Sequence, residues 1–144
     1  MYKSILVCVD LTEPHSWEQA FPIACQLARG SSATLHIVTV VPPYGMSIVG
    51  SFFPKDFEEK ALESAKGQLK ALVEKSIPDD IDCKVHVAHG TVYEEILHAA
   101  KATSADLIVL TAHRPKLQDY LLGPNAARVA RHASQSVLIV RDED

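Results

Sequence analysis

The chain has 144 residues, 47% of them apolar, and a formal net charge of −4. That length suits one domain with one core, and that apolar content excludes a disordered chain. The acidic balance excludes a general nucleic-acid binder, and without an apolar run of roughly 18 residues no membrane span is expected.

The opening, MYKSILVCVD, runs from a short apolar stretch straight into Asp10. It has no small-residue cleavage site, so it reads as a strand from Ser4 to Val9 rather than a signal peptide. After a turn over Leu11 to Pro14, the spacing of Trp17, Ala20, Phe21, Ala24, Leu27 and Ala28 predicts a helix from about Pro14 to Arg29. Pro22 lies within it, which predicts a kink there or a helix that starts late. Gly30, Ser31 and Ser32 are expected to close it.

Ala33 to Val41 reads as a second strand, ended by Pro42 and Pro43. Residues 42–54 form a loop rich in Pro, Gly and Ser that also carries Tyr44, Met46, Phe52 and Phe53. So much apolar surface in a loop suits a lid or a contact surface. A second helix is predicted from about Lys55 to Ser76, with Phe57, Ala61, Ala65, Leu69, Leu72 and Val73 close to a 3.6-residue period. Asp82 to Ala88 alternates, as expected of a strand near the sheet edge with one covered face. His89 and Gly90 end it. Thr91 and Glu94 fit a capping box that opens a third helix reaching about Thr103.

Two β-branched runs, Leu107 to Leu110 and Val137 to Val140, have the composition of strands buried on both faces. Between them lie a loop, Thr111 to Gly123, and a helical pattern from Pro124 to His132. Strands and helices alternate throughout without an internal repeat. This predicts an α/β fold of three layers, α/β/α, with an open five-stranded parallel sheet in a single domain over residues 1–144. A strand, a loop at its carboxyl end and a helix opening at a glycine also make a place for an anion, because free N–H groups and the helix dipole converge there. Pro124 suits the first turn of that helix, which leaves the N–H groups of Asn125 and Ala126 available.

Catalytic motifs are scarce. The seven histidines have no metal-ligand spacing, and His86, His89, His113 and His132 read as structural or exposed. There is no GxSxG, no P-loop and no residue that reads as a general base. Three cysteines without close spacing read as buried small apolar side chains in a reducing cytoplasm.

The segment Thr111-Ala112-His113-Arg114-Pro115, the lead-in Tyr120-Leu121-Leu122-Gly123 and the run from Asn125 through Arg141 resemble the C-terminal signature of the universal stress protein family, in its small single-domain bacterial form. The resemblance extends from Met1 to Arg141. It implies a Rossmann-like fold of the adenine nucleotide α-hydrolase type with strand order 3-2-1-4-5, and a ligand crevice where the order reverses. It implies an adenine nucleotide, ATP or its ADP and AMP forms with Mg²⁺, held by Val9, Asp10, Leu11 and Val40 at the base and ribose. Thr111, His113, Arg114, Pro115, Gly123, Pro124, Asn125 and Ala126 would lie at the phosphates. Asp10 also has a simpler reading, as the cap of a turn or helix.

The chain departs from the family's glycine pattern. Thr111 stands at its first glycine, and Pro124 at a usual serine or threonine. A weaker or differently built phosphate grip is expected, with His113 and Arg114 supplying charge-assisted hydrogen bonds and Asn125 an amide. The resemblance further implies a cytoplasmic stress-response regulator, with at most slow ATP hydrolysis. It would be a homodimer joined through Val137, Leu138, Ile139 and Val140, and the acidic tail, Asp142 to Asp144, would limit that contact. The alternative reading is a dimeric interaction module of the same fold without a nucleotide, contacting an unknown protein partner. A third is an adenylating enzyme of the same class, against which the lack of a substrate domain weighs.

Overall fold

The computed structural model describes residues 1–43, 57–112 and 124–141. The expected 42–54 loop from Tyr44 onward and the acidic tail lie outside them. Five strands, β1 (Ser4–Val9), β2 (Thr34–Val41), β3 (Cys83–His89), β4 (Leu107–Ala112) and β5 (Ser136–Arg141), form one parallel sheet in the order β3-β2-β1-β4-β5. Among the described residues five helices accompany them: α1 (His15–Glu18), α2 (Ala20–Ser31), α3 (Phe57–Ser76), α4 (Val92–Ala102) and α5 (Pro124–His132).

The apolar runs form the central strands because both faces of the sheet are covered. Side chains alternate along β1. Ile5, Val7 and Val9 join Leu35, Ile37 and Val109 beneath Phe21 and Ala24 of α2 and Leu69 of α3. Leu6 and Cys8 join Val38, Ile108 and Leu110 beneath Ile96 and Ala100 of α4 and Ala126 and Val129 of α5. All six residues of β1 are buried. Its amino end is pinned to the start of β4: the Asp106 carboxylate accepts the N–H groups of Lys3 at 2.9 Å and Ser4 at 3.2 Å. The Asp106 N–H in turn donates to the Ser4 carbonyl at 2.9 Å.

Local expectations are met in part. Of the two expected for Pro22, the late start holds and the kink does not. The expected helix breaks at Gln19, and α2 begins at Ala20, so Pro22 falls in the first turn, where an N–H has no helical partner to lose. The helix also runs through Gly30 and ends at Ser31. Ser32, not the glycine, takes the left-handed conformation, with φ 54°, and its N–H reaches the Ala28 carbonyl. Thr91 is the N-cap of α4 with extended backbone, but its side chain makes no capping bond, so the expected reciprocal box is absent. The Glu94 carboxylate accepts instead from the Tyr93 hydroxyl at 3.3 Å.

Edge strand β3 is covered more fully than its alternation implied. Cys83, Val85 and Val87 pack on the α2–α3 layer, while Ala88 packs on the other. On that second face the His86 ring stacks on His36 of β2, with centroids 5.1 Å apart. Gly90, which follows β3, holds φ at +142°, and its N–H donates to the Val41 carbonyl at 3.0 Å. A Cβ there would also meet Glu95 Cγ at 3.1 Å, so this turn requires glycine.

Candidate functional site

A cleft of about 560 Å³ opens at the carboxyl ends of β1, β2 and β4, where the strand order reverses. The loop after β1 forms part of its wall and is held by its own polar groups. Asp10 Oδ1 accepts the N–H of Thr12 at 2.9 Å and its hydroxyl at 2.7 Å, an Asx turn. The Asp10 N–H donates to Ser16 Oγ at 2.9 Å, and the Ser16 hydroxyl donates to the Asp10 carbonyl at 3.0 Å. Asp10 therefore closes a turn, as its simpler reading has it, and also lines the cleft.

The adjoining strand ends are fastened in the same way. The Thr39 hydroxyl donates to the Val9 carbonyl at 3.0 Å, and that of Thr111 to the Ser16 carbonyl at 3.1 Å. Thr111 continues β4 as a β-branched residue and ties it to α1. A glycine at this position would instead leave room for a ligand to approach the backbone.

Of the residues singled out from the sequence, Val9, Asp10, Leu11 and Val40 line the cleft at β1 and β2, and Thr111, Asn125 and Ala126 line it at β4 and α5. Pro124 is the first residue of α5 but does not line the cleft. His113, Arg114, Pro115 and Gly123 lie outside the described residues. Among the described lining residues there is no histidine, lysine or arginine, so an anion here would meet the backbone N–H groups and dipole of α5.

The reading of the sequence missed one wall. Ala61, Ser64, Ala65 and Gln68 of α3 face the cleft, at a spacing of three, four and seven residues. Ala61 and Ala65 belong to the apolar stripe read from the sequence, whereas Ser64 and Gln68 lie outside it. The two small alanines keep α3 from filling the space over the strand ends.

Beneath the cleft, burial pushes the Cys8 thiol far above its ordinary range, so this wall is neutral. Beside it, His89 at the end of β3 bonds Glu58 in the first turn of α3, Nδ1 to Oε1 at 2.8 Å. This holds α3 to the sheet. Nε2 of the same ring is buried without a hydrogen-bond partner. Among the described residues no cluster of three His, Cys, Asp or Glu side chains could hold a metal ion, and no helix is long and apolar enough to cross a membrane.

Comparison with known proteins agrees with this architecture. Residues 1–141 match the universal stress protein family. Universal stress protein G of Shigella flexneri is 32% identical over 143 residues, covering 98% of this chain and 100% of that protein. A universal stress protein crystallised in complex with cAMP superimposes with a TM-score of 0.61 at 26% identity, covering 99% of this chain and 98% of the other. The universal stress protein of Archaeoglobus fulgidus in complex with dAMP gives a TM-score of 0.64 at 18% identity, with coverage of 96% and 98%.

Proposed function

The chain belongs to the universal stress protein family, and from that premise we propose that the cleft binds one adenine nucleotide and that the protein acts as a stress-response regulator rather than a metabolic enzyme. The observation that carries the reading is the cleft itself: about 560 Å³, at the reversal of strand order, with the amino end of α5 at one side. A space of that size suits a nucleotide. Similar proteins held with cAMP and dAMP support the adenine class.

Thr111 and Pro124 bear on the phosphates. The Thr111 hydroxyl is engaged by the Ser16 carbonyl, and Pro124 supplies neither a hydroxyl nor an N–H. Triphosphate binding, with Mg²⁺, therefore depends on Asn125, Ala126 and the segment holding His113, Arg114 and Gly123. Any ATP hydrolysis is slow in this reading, since none of the described lining residues is a histidine or lysine that could serve as a base. In this reading the protein is cytoplasmic and dimerises through β5, an edge strand whose Val137, Leu138 and Ile139 stay half-buried in the single chain.

Calorimetric titration of nucleotide-stripped protein with magnesium-ATP, AMP and GTP tests this. Saturation near one ATP per chain with much weaker GTP is expected. AMP binding alone would limit the reading to the base pocket. No binding by any of the three would overturn it in favour of the dimeric interaction module, a reading that the engaged Thr111 hydroxyl favours.

A further inference from the structure

Strand β3 is one edge of the sheet, and no described strand lies beyond it. The Leu35 N–H donates to the Asp82 carbonyl at 2.8 Å, and the Gly90 N–H to the Val41 carbonyl at 3.0 Å. The even-numbered residues of β3 therefore turn their backbone groups toward β2, and Cys83, Val85, Val87 and His89 turn theirs outward. A groove of about 390 Å³ runs along this edge, between Leu62, Glu63 and Lys66 of α3 and Val85, His86 and Val87 of β3. No residue of β2 lines it. Outward backbone groups beside a walled groove are a template for another strand.

The flank of α3 above the groove carries a charge pattern that suits an antiparallel copy of itself. Glu59, Glu63, Lys66 and Lys70 are exposed and follow one another at intervals of four, three and four residues, so they form one stripe. Ala61, Ser64, Ala65 and Gln68, which line the cleft, lie on the other flank of the helix. Within the chain the stripe sets like charges one turn apart, Glu59 beside Glu63 and Lys66 beside Lys70, which destabilises a lone helix. The order, two acids and then two bases, is complementary to its own reverse. An antiparallel α3 would set Glu63 against Lys66 and Glu59 against Lys70, each pair occurring twice about a two-fold axis.

We infer that a second copy of this chain docks on this edge, with β3 antiparallel to β3 across a two-fold axis at His86 and the two α3 helices side by side. The groove is centred on His86, and in that register the outward backbone groups of Val85 exchange hydrogen bonds with those of the second copy's Val87. The same two valines meet on the face that α3 covers, beside Leu62. Lys84 stands opposite the second copy's Ala88 rather than opposite another cation. The contact lies at the edge of the sheet away from β5 and does not depend on what the cleft binds.

The register gives a test that a contact through β5 does not satisfy. In His86→Cys the two introduced thiols face each other at a non-hydrogen-bonded pair, with Cα atoms about 4.5 Å apart, inside the range a disulfide spans. Treated with diamide, this variant is expected to give a two-chain band on a non-reducing gel about tenfold faster than Lys84→Cys or the wild type with its native cysteines. Sedimentation velocity at rising concentration gives a second reading, whether the associating unit is one chain or a pair joined through β5. Lys66→Glu is expected to lower the association constant about tenfold, and Glu63→Lys combined with Lys66→Glu to restore it within about twofold. His86→Cys gives up the bond to His36, whereas Glu63 and Lys66 are exposed, so the charge variants should keep their thermal midpoints within a few degrees and carry the test if the cysteine variant does not fold. Equal crosslinking of His86→Cys and Lys84→Cys, a wild-type mass that does not rise with concentration, or a double variant as weak as Lys66→Glu alone would each overturn the contact.

Discussion

The seam between β1 and β4 and the seam between β2 and β3 belong to one sheet but are held by different means. At the first, Ile5, Leu6 and Val7 face Leu107, Ile108 and Val109 with no ionisable side chain between them, and polar bonds occur at the ends, through Asp106 and Thr111. At the second, His36 Nδ1 and His86 Nε2 lie 2.8 Å apart beneath stacked rings, and His89 reaches Glu58 at the carboxyl end. The body of the first seam depends on apolar burial and holds no imidazole. The second is tied to protonation, because a single N–H joins the two imidazoles and, once both rings are charged, two N–H groups face each other.

The sharpest way to break the comparison is to cut into the first seam. Leu6 is fully buried between the sheet and α4 and α5, so Leu6→Ala should destabilise the protein by about 3 kcal/mol in urea unfolding, equally at pH 7.5 and 5.5. A loss well below that would mean that the cavity refills from α4.

The second seam should respond to acid instead. Burial, with smaller contributions from neighbouring positive charge at Lys84, lowers the affinity of both His36 and His86 for protons, and Asp82 opposes this at His36. The unfolded chain therefore takes up protons that the folded pair resists. Stability is fully present above about pH 6.5 and falls as pH drops from there toward the lowered folded values. Replacing the pair, as in His36→Phe with His86→Leu, should flatten that slope. A slope unchanged in the double variant would place the acid sensitivity elsewhere.

A smaller effect is expected at the carboxyl end of the first seam. Thr111→Val keeps the shape but removes the hydroxyl that donates to the Ser16 carbonyl, for a loss of about 1 kcal/mol and faster amide exchange in α1. The smallest effect should come from the amino-terminal side of the second seam. Arg29 Nε bonds Asp80 at 2.8 Å there, but both side chains are at least half exposed, so Asp80→Asn should matter only at low salt and vanish in 1 M salt.

The legibility of these regions follows the same division. The first seam could be read from composition, because β1 and β4 are unbroken apolar runs and only a strand covered on both faces accepts such a run. The bounds of α5 were equally plain, since Pro124 can open a helix but not continue one. The strand order came from the family resemblance, and the structure agrees with it. The break at Gln19 was half legible, as the late start that Pro22 allowed beside a kink, because a proline carries the same signal inside a helix and in its first turn. The contact of His36 with His86 was hidden because it joins residues fifty positions apart, in a register that no local pattern states. At the cleft, Val9, Asp10 and Thr111 could be placed because each stands where an apolar strand ends. Ser64 and Gln68 could not, since a polar flank on an amphipathic helix looks the same whether it meets solvent or a ligand.

The buried thiol under the cleft has a consequence for how the protein meets oxidants. Peroxide and alkylating reagents are attacked by the thiolate and not by the thiol, and burial favours the protonated form of Cys8 between strands and pushes the half-buried Cys83 up to about 11. At neutral pH neither is a ready target, so iodoacetamide labelling of the folded protein should be slow at both positions and rise sharply on unfolding. The thiol in the floor of the cleft is therefore expected to stay reduced in the folded protein while an oxidant is present.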